Sequence, residues 1–136
     1  MLERLDELAR QRATFAFETT LASRTFAPWL EARVAEGYAV YLVFLWLPDP
    51  TEAVRRVAER ASRGGHGIAA DVVHRRYAAG LRNFFRLYQR LAAAWYMYDT
   101  SKLGPPRLLA SGHSTEASVI SDRLLWEIIL RQWSSA

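Results

Sequence analysis

The sequence predicts an α/β fold, a single three-layer domain spanning residues 1–136 and built on a mostly parallel sheet. Three observations carry this expectation. Residues 38–47 (Tyr-Ala-Val-Tyr-Leu-Val-Phe-Leu-Trp-Leu) are apolar on both faces, as only a strand covered on each side requires. A second apolar run, Thr14-Phe15-Ala16-Phe17, stops abruptly at Glu18, Thr19 and Thr20, which is how a buried strand delivers polar groups to the edge of a sheet. Between and after these runs, apolar residues recur at helical spacing, and strands alternating with helices imply parallel pairing through right-handed crossovers.

In chain order, Leu2, Leu5, Leu8 and Ala9 mark an amphipathic helix over residues 2–11. It feeds the strand predicted at 14–19. Ser23 or Thr25 can cap a helix that runs through Pro28, Trp29, Leu30 and Val34 to Gly37, where a left-handed C-cap fits. The strand at 38–47 follows. Asp49 as N-cap, Pro50 at the first helical position and Glu52 placed for a capping box open the next helix. Its apolar face is Val54, Val57, Ala58 and Ala61; Arg56, Arg60 and Arg63 lie opposite. Gly64-Gly65-His66-Gly67 ends it in a turn. A long helix from 70 to 93 places Val73, Tyr77, Leu81, Phe84, Tyr88 and Leu91 on one stripe, with Arg76 and Asn83 along its flank. Residues 95–99 read as a strand, 107–110 as another, 112–116 as loop, and Leu124, Leu125, Ile128, Ile129 and Trp133 as a terminal helix. Few of these strands are long enough for a central position. That shortage leads to the expectation of an N-terminally truncated sheet lacking its first β-α-β unit, the alternative being a small complete three-layer fold.

Composition narrows the function classes. The chain has no cysteine, which excludes disulfides, thiolate zinc sites and cysteine nucleophiles. Its three histidines, His66, His74 and His113, are scattered, so no metal site is expected. No apolar run approaches the roughly 18–20 residues of a membrane span, and the first helix is unlike a signal peptide; a cytoplasmic location without membrane association is expected. Lys102 is the only lysine among 18 basic residues, and the formal net charge is +4. Acids are interspersed and no basic arm stands out, so nucleic acid is not the expected partner. Neither a GxxxxGK[ST] phosphate loop nor a GxSxG nucleophile elbow occurs.

What remains is a set of arginines around a hinge. Arg56, Arg60 and Arg63 precede the glycine turn with His66, and Arg75-Arg76-Tyr77 follow it. Guanidiniums on both sides of a glycine joint suit a lid that closes on phosphoryl oxygens and excludes water; the plainer alternative is a solvated arginine-rich face. Ligands of open parallel sheets sit beyond the carboxyl ends of strands, which puts Glu18, Thr19 and Thr20 at a ligand position.

Taken together, Phe17-Glu18-Thr19-Thr20-Leu21, the Gly37-Tyr38 entry to a strand ending Leu47-Pro48, Arg56-Val57-Ala58-Glu59-Arg60, Gly64-Gly65-His66-Gly67-Ile68, Arg75-Arg76-Tyr77 and Leu81-Arg82-Asn83-Phe84 resemble the zeta toxin family of P-loop kinases. The similarity continues through Tyr98-Asp99 and Pro106-Arg107-Leu108-Leu109-Ala110. It implies a P-loop kinase fold in which ATP with Mg2+ phosphorylates a hydroxyl of a nucleotide-sugar such as UDP-N-acetylglucosamine. By the same resemblance Glu18 takes the substrate-binding carboxylate position, with Thr19 and Thr20 beside it. Arg60 and Arg76 become the catalytic, phosphate-clamping lid arginines, with Arg56, Arg63, His66 and Asn83 as further phosphate-contacting candidates. An antitoxin or a second copy of the chain would be the protein partner. The family's phosphate loop with its lysine and the family's catalytic aspartate have no counterpart here. The expectation is therefore a chain that alone binds ATP weakly or not at all and transfers no phosphoryl group. A non-catalytic interaction module, or a weak nucleic-acid-binding remnant, is the competing class.

Overall fold

A computed structural model describes residues 1–134. It is an α/β domain with an open four-stranded mixed sheet in the order β1-β2-β3-β4 and five α-helices. Among the described residues no helix is long and apolar enough to cross a membrane.

Helix α1 (Leu2–Arg10) buries Leu5 and Ala9. It is tied to α2 (Phe26–Ala35) by the Trp29 indole N–H, which donates to Asp6 at 2.6 Å. Arg33 of α2 lies over the Trp29 ring and pairs with Asp6 and Glu36. Gly37 takes φ 103°, the left-handed value that ends a helix where a side chain would be strained. Strand β1 (Tyr41–Trp46) is shorter than the apolar run that predicts it. Asp49 caps α3 (Pro50–Ser62) by accepting from the Glu52 N–H at 3.0 Å. Glu52 does not return the bond as a capping box would, because its carboxylate is taken by Arg55 and Arg56.

Helix α4 (Ala70–Asn83) passes into a π-helical turn (Phe84–Tyr88) and a 3₁₀ turn (Gln89–Leu91) where one regular helix is predicted to residue 93. The wider turn coincides with the densest packing in the molecule. Phe84, with no exposed surface, meets Phe44, Phe85 and Trp95 through ring contacts of 4.9 to 5.8 Å. Strand β2 (Ala94–Asp99) contributes buried Trp95 and Met97. Strand β3 (Arg107–His113) and β4 (Glu116–Ile120) form a hairpin through Ser114-Thr115, with Ser114 at φ 51°. Helix α5 (Arg123–Trp133), capped by Asp122, stacks Trp126 on Trp95 at 5.4 Å. Because Trp95 touches both Phe84 and Trp126, α4, its π turn and α5 share one face of the sheet.

Three expectations are corrected. The sheet is mixed, not mostly parallel: β1 and β2 pair parallel, whereas β2–β3 and β3–β4 are antiparallel. Only α3 and α4, between β1 and β2, supply a connection long enough for a parallel crossover. The layering at β1 is one-sided, since Tyr41, Val43 and Leu45 are 69%, 58% and 59% exposed while Leu42, Phe44 and Trp46 face the core. Residues 14–19 are not a strand but an extended segment outside the sheet. They keep the period-2 alternation, with Phe15 against Trp29 and Tyr38, and Phe17 against Phe26. Those rings bind the segment mainly to α2 and its C-terminal turn, so tertiary packing decided against pairing with β1.

Candidate functional site

Two connections place the site. Helix α3 leaves the end of β1, and its last turn closes on itself: the Arg60 carbonyl accepts from the N–H of Arg63 at 3.2 Å and of Gly65 at 2.9 Å. Gly64 sits at φ 97°. The chain then returns as α4, so the arginine faces of both helices meet across the glycine turn. Between them lies a cleft of about 600 Å³ beside the carboxyl ends of the parallel pair β1–β2, where Leu47 and Thr100 stand. Open α/β sheets bind ligands in such crevices.

The cleft has an apolar wall, including Leu47, Val57, Ile68 and Val73, and a cationic rim of Arg56, Arg60, Arg63 and Arg76. The four cations differ in their engagement. Arg56 bonds the Glu52 carboxylate at 3.2 Å and the Thr100 carbonyl at 2.5 Å. Arg60, Arg63 and Arg76 have no acid within ion-pair distance among the described residues. The reason lies in Glu52 and Glu59 on α3, which are drawn to Arg55 on the opposite flank; the Arg55–Glu59 contact is very short. Hydrogen bonds from Arg55, and then from Arg56, pull the Glu52 carboxyl from 4.5 to about 2.

A titration prediction follows from that shift. The folded value is lowered, so the Glu52–Arg55 network contributes above pH 4.5 and is lost as pH falls toward 2. Carbon-13 NMR of the Glu52 carboxylate should show it still ionised at pH 4, and a midpoint near the ordinary glutamate value would refute the network.

At the cleft floor, Tyr77 donates to the Leu47 carbonyl at 2.7 Å, and burial, with the Asp49 carboxylate adding to it, pushes its hydroxyl to about 12. It is thus a neutral donor at ordinary pH. Thr20 reaches the cleft because Gly80 of α4 has no side chain: a Cβ there would stand 2.4 Å from the Thr20 carbonyl oxygen. The turn beyond Thr20 is held by Asn83, whose amide donates to the carbonyls of Leu21 at 2.7 Å and Ala22 at 3.1 Å, and by Tyr88, which donates to Ser23 at 2.5 Å. Leu21 adopts φ 59° within it.

Of the residues singled out from sequence, Arg56, Arg60, Arg63, Arg76 and Thr20 converge on this cleft. Glu18 is exposed and does not line it. Thr19 lines a second, aromatic cleft of about 690 Å³ instead, and its hydroxyl accepts from the Leu21 N–H. His66 is exposed in the glycine turn, outside the lining. Asn83, expected to contact phosphate, spends its amide on the 21–22 backbone. Tyr77, Gly80 and Thr100 are cleft residues to which the sequence reading gives no such role. A glycine inside a helical pattern is the one signal that marks Gly80 beforehand.

The lining suits phosphoryl oxygens through its guanidiniums. Glu59, the carboxylate in the cleft wall, is engaged by Arg55. Lys102 lies exposed between β2 and β3 and takes no part in the lining, and among the described residues no three His, Asp or Glu side chains group as a metal site. The chain matches no protein-family model, no curated protein and no solved structure.

Proposed function

We propose that the cleft between α3 and α4 is the acceptor-binding, phosphate-clamping side of a zeta-toxin-like P-loop kinase fold. Its ligand would be a phosphorylated, nucleotide-sugar type of molecule such as UDP-N-acetylglucosamine. The observation that carries this reading is the convergence of Arg60, Arg63 and Arg76, none with an acid within ion-pair distance among the described residues, on one cleft across the Gly64–Gly67 turn. Unpaired guanidiniums facing a common space repel one another, and a bidentate phosphoryl group removes that repulsion while satisfying their donors. The apolar wall gives the less polar remainder of the ligand a surface to cover.

Because the sequence holds no GxxxxGK[ST] phosphate loop, no phosphoryl transfer is assigned to these 136 residues. Calorimetry on the purified chain should give saturable, salt-sensitive binding of UDP-N-acetylglucosamine and of pyrophosphate. Mg2+–ATP should bind far more weakly than the nucleotide-sugar. Absence of binding by both UDP-N-acetylglucosamine and pyrophosphate refutes the phosphate clamp. Micromolar binding of Mg2+–ATP would overturn its restriction to the acceptor side.

A further inference from the structure

Among the described residues strand β1 is an edge of the sheet, paired only with β2. The carbonyls of Val40 and Trp46 both accept from the β2 side, from the N–H of Ala93 at 2.7 Å and of Thr100 at 3.0 Å. A residue's N–H and C=O point to the same edge of a strand and alternate with the next residue, so the even-numbered residues of β1 face β2. The main chains of Tyr41, Val43 and Leu45 therefore face away from it, unpaired, and these are the residues whose apolar side chains are exposed. Natural edges are protected by lysine, proline or a bulge; Tyr41–Trp46 has none of these.

The two clefts meet this strand at opposite ends. The aromatic cleft takes in Tyr41 and Leu42 together with Phe15, Phe17 and Trp29, and the arginine cleft takes in Phe44 and Leu45. Along one line there is thus an aromatic cleft, a row of main-chain groups unpaired among the described residues, and a rim in which Arg60, Arg63 and Arg76 have no acid within ion-pair distance among the described residues.

We propose that β1 receives an added strand from a partner polypeptide, an extended segment with an aromatic residue at the Tyr41 end and acidic residues at the Leu45 end. Main-chain bonds to Tyr41, Val43 and Leu45 supply the pairing, and carboxylates on Arg60 and Arg76 fix the register. A second copy's β1 does not meet this description. It is walled by the same α2, α3 and α4 residues, and its segment Tyr41–Trp46 carries no acid. An occupant of this kind covers the arginine cleft and excludes a phosphorylated ligand from it.

The probes are synthetic octapeptides of alternating valine and threonine with phenylalanine at one end and two aspartates at the other, made in both chain directions. In amide hydrogen exchange, one direction should protect the N–H of Tyr41, Val43 and Leu45 at least tenfold and leave Leu42 and Phe44, already bonded to β2, unchanged. Replacing the aspartates by lysines should abolish binding. So should N-methylation of the edge-facing peptide amides, or Val43→Pro, which removes an N–H not used in pairing with β2. If Val43→Pro does not fold, the N-methylated peptide decides. Absence of binding in both directions, binding without protection of the Val43 N–H, or protection of Val43 by self-association without peptide overturns the proposal. Displacement by UDP-N-acetylglucosamine tests occupancy of the arginine cleft separately, so main-chain protection stands or falls apart from the phosphate-clamp reading.

Discussion

Gly80→Ala is expected to destabilise the protein by about 1–3 kcal/mol, the range for overpacking a well-filled interior. The opposing effect is real, since alanine in place of glycine within a helix gains about 1 kcal/mol of propensity. The overlap decides the sign. A Cβ at residue 80 lies 2.4 Å from the Thr20 carbonyl oxygen, a main-chain atom that cannot swing away like the end of a side chain. The next residues are held by the two Asn83 bonds and by the left-handed conformation of Leu21, so Thr20 moves only if that turn comes apart. Urea denaturation of wild type and variant reads the loss. Chemical-shift changes should concentrate at residues 19–22 and in the cleft. A variant more stable than wild type would mean that α4 and the 20–22 turn do not approach this closely.

That contact also shows where sequence reading reaches and where it stops. Helix boundaries marked by local chemistry were legible: Asp49 and Pro50 at the start of α3, and Gly37 after α2, act through their own backbone and nearest neighbours. Strand β1 was legible because ten apolar residues in a row leave few alternatives. The segment 14–19 was not, because its extended, alternating pattern is the same whether its rings pack on a sheet or on Trp29 and Phe26 of α2. The β3–β4 hairpin was missed for a related reason. Ser114-Thr115 is not among the usual glycine or asparagine turn pairs, and Ser114 is held at positive φ by tertiary context, with its carbonyl accepting from the Trp95 indole at 2.9 Å.

The candidate site divides in the same way. The arginines of α3 share a face by helical periodicity alone, and the glycine turn was enough to bring Arg76 opposite them. Which of those cations keep an acidic partner was not legible, because Glu52 and Glu59 stand within reach of several arginines on the same helix. Arg55 takes both. Asn83 illustrates the limit from the other side: on the flank of α4 an amide can reach a ligand or a backbone with equal ease, and the left-handed Leu21 turn supplied the backbone.

Removing Arg60 and Arg76 together should weaken binding of UDP-N-acetylglucosamine or pyrophosphate by about 100-fold. A hydrogen bond to a charged group contributes about 1.5–3 kcal/mol, and both side chains are exposed, so the low end applies, about tenfold for each. Arg4→Ala is the internal control. Arg4 lies on α1, paired with Glu7 at the surface and outside the cleft, so its loss should leave affinity within about twofold. Lysine at residue 76 should restore only part of the loss, because a point charge lacks the planar fork that holds two phosphoryl oxygens. The salt dependence separates contact from general attraction. If the guanidiniums touch the phosphoryl oxygens, the double variant loses affinity at high salt as well as low; an effect confined to low salt would reduce the four arginines to a diffuse positive surface.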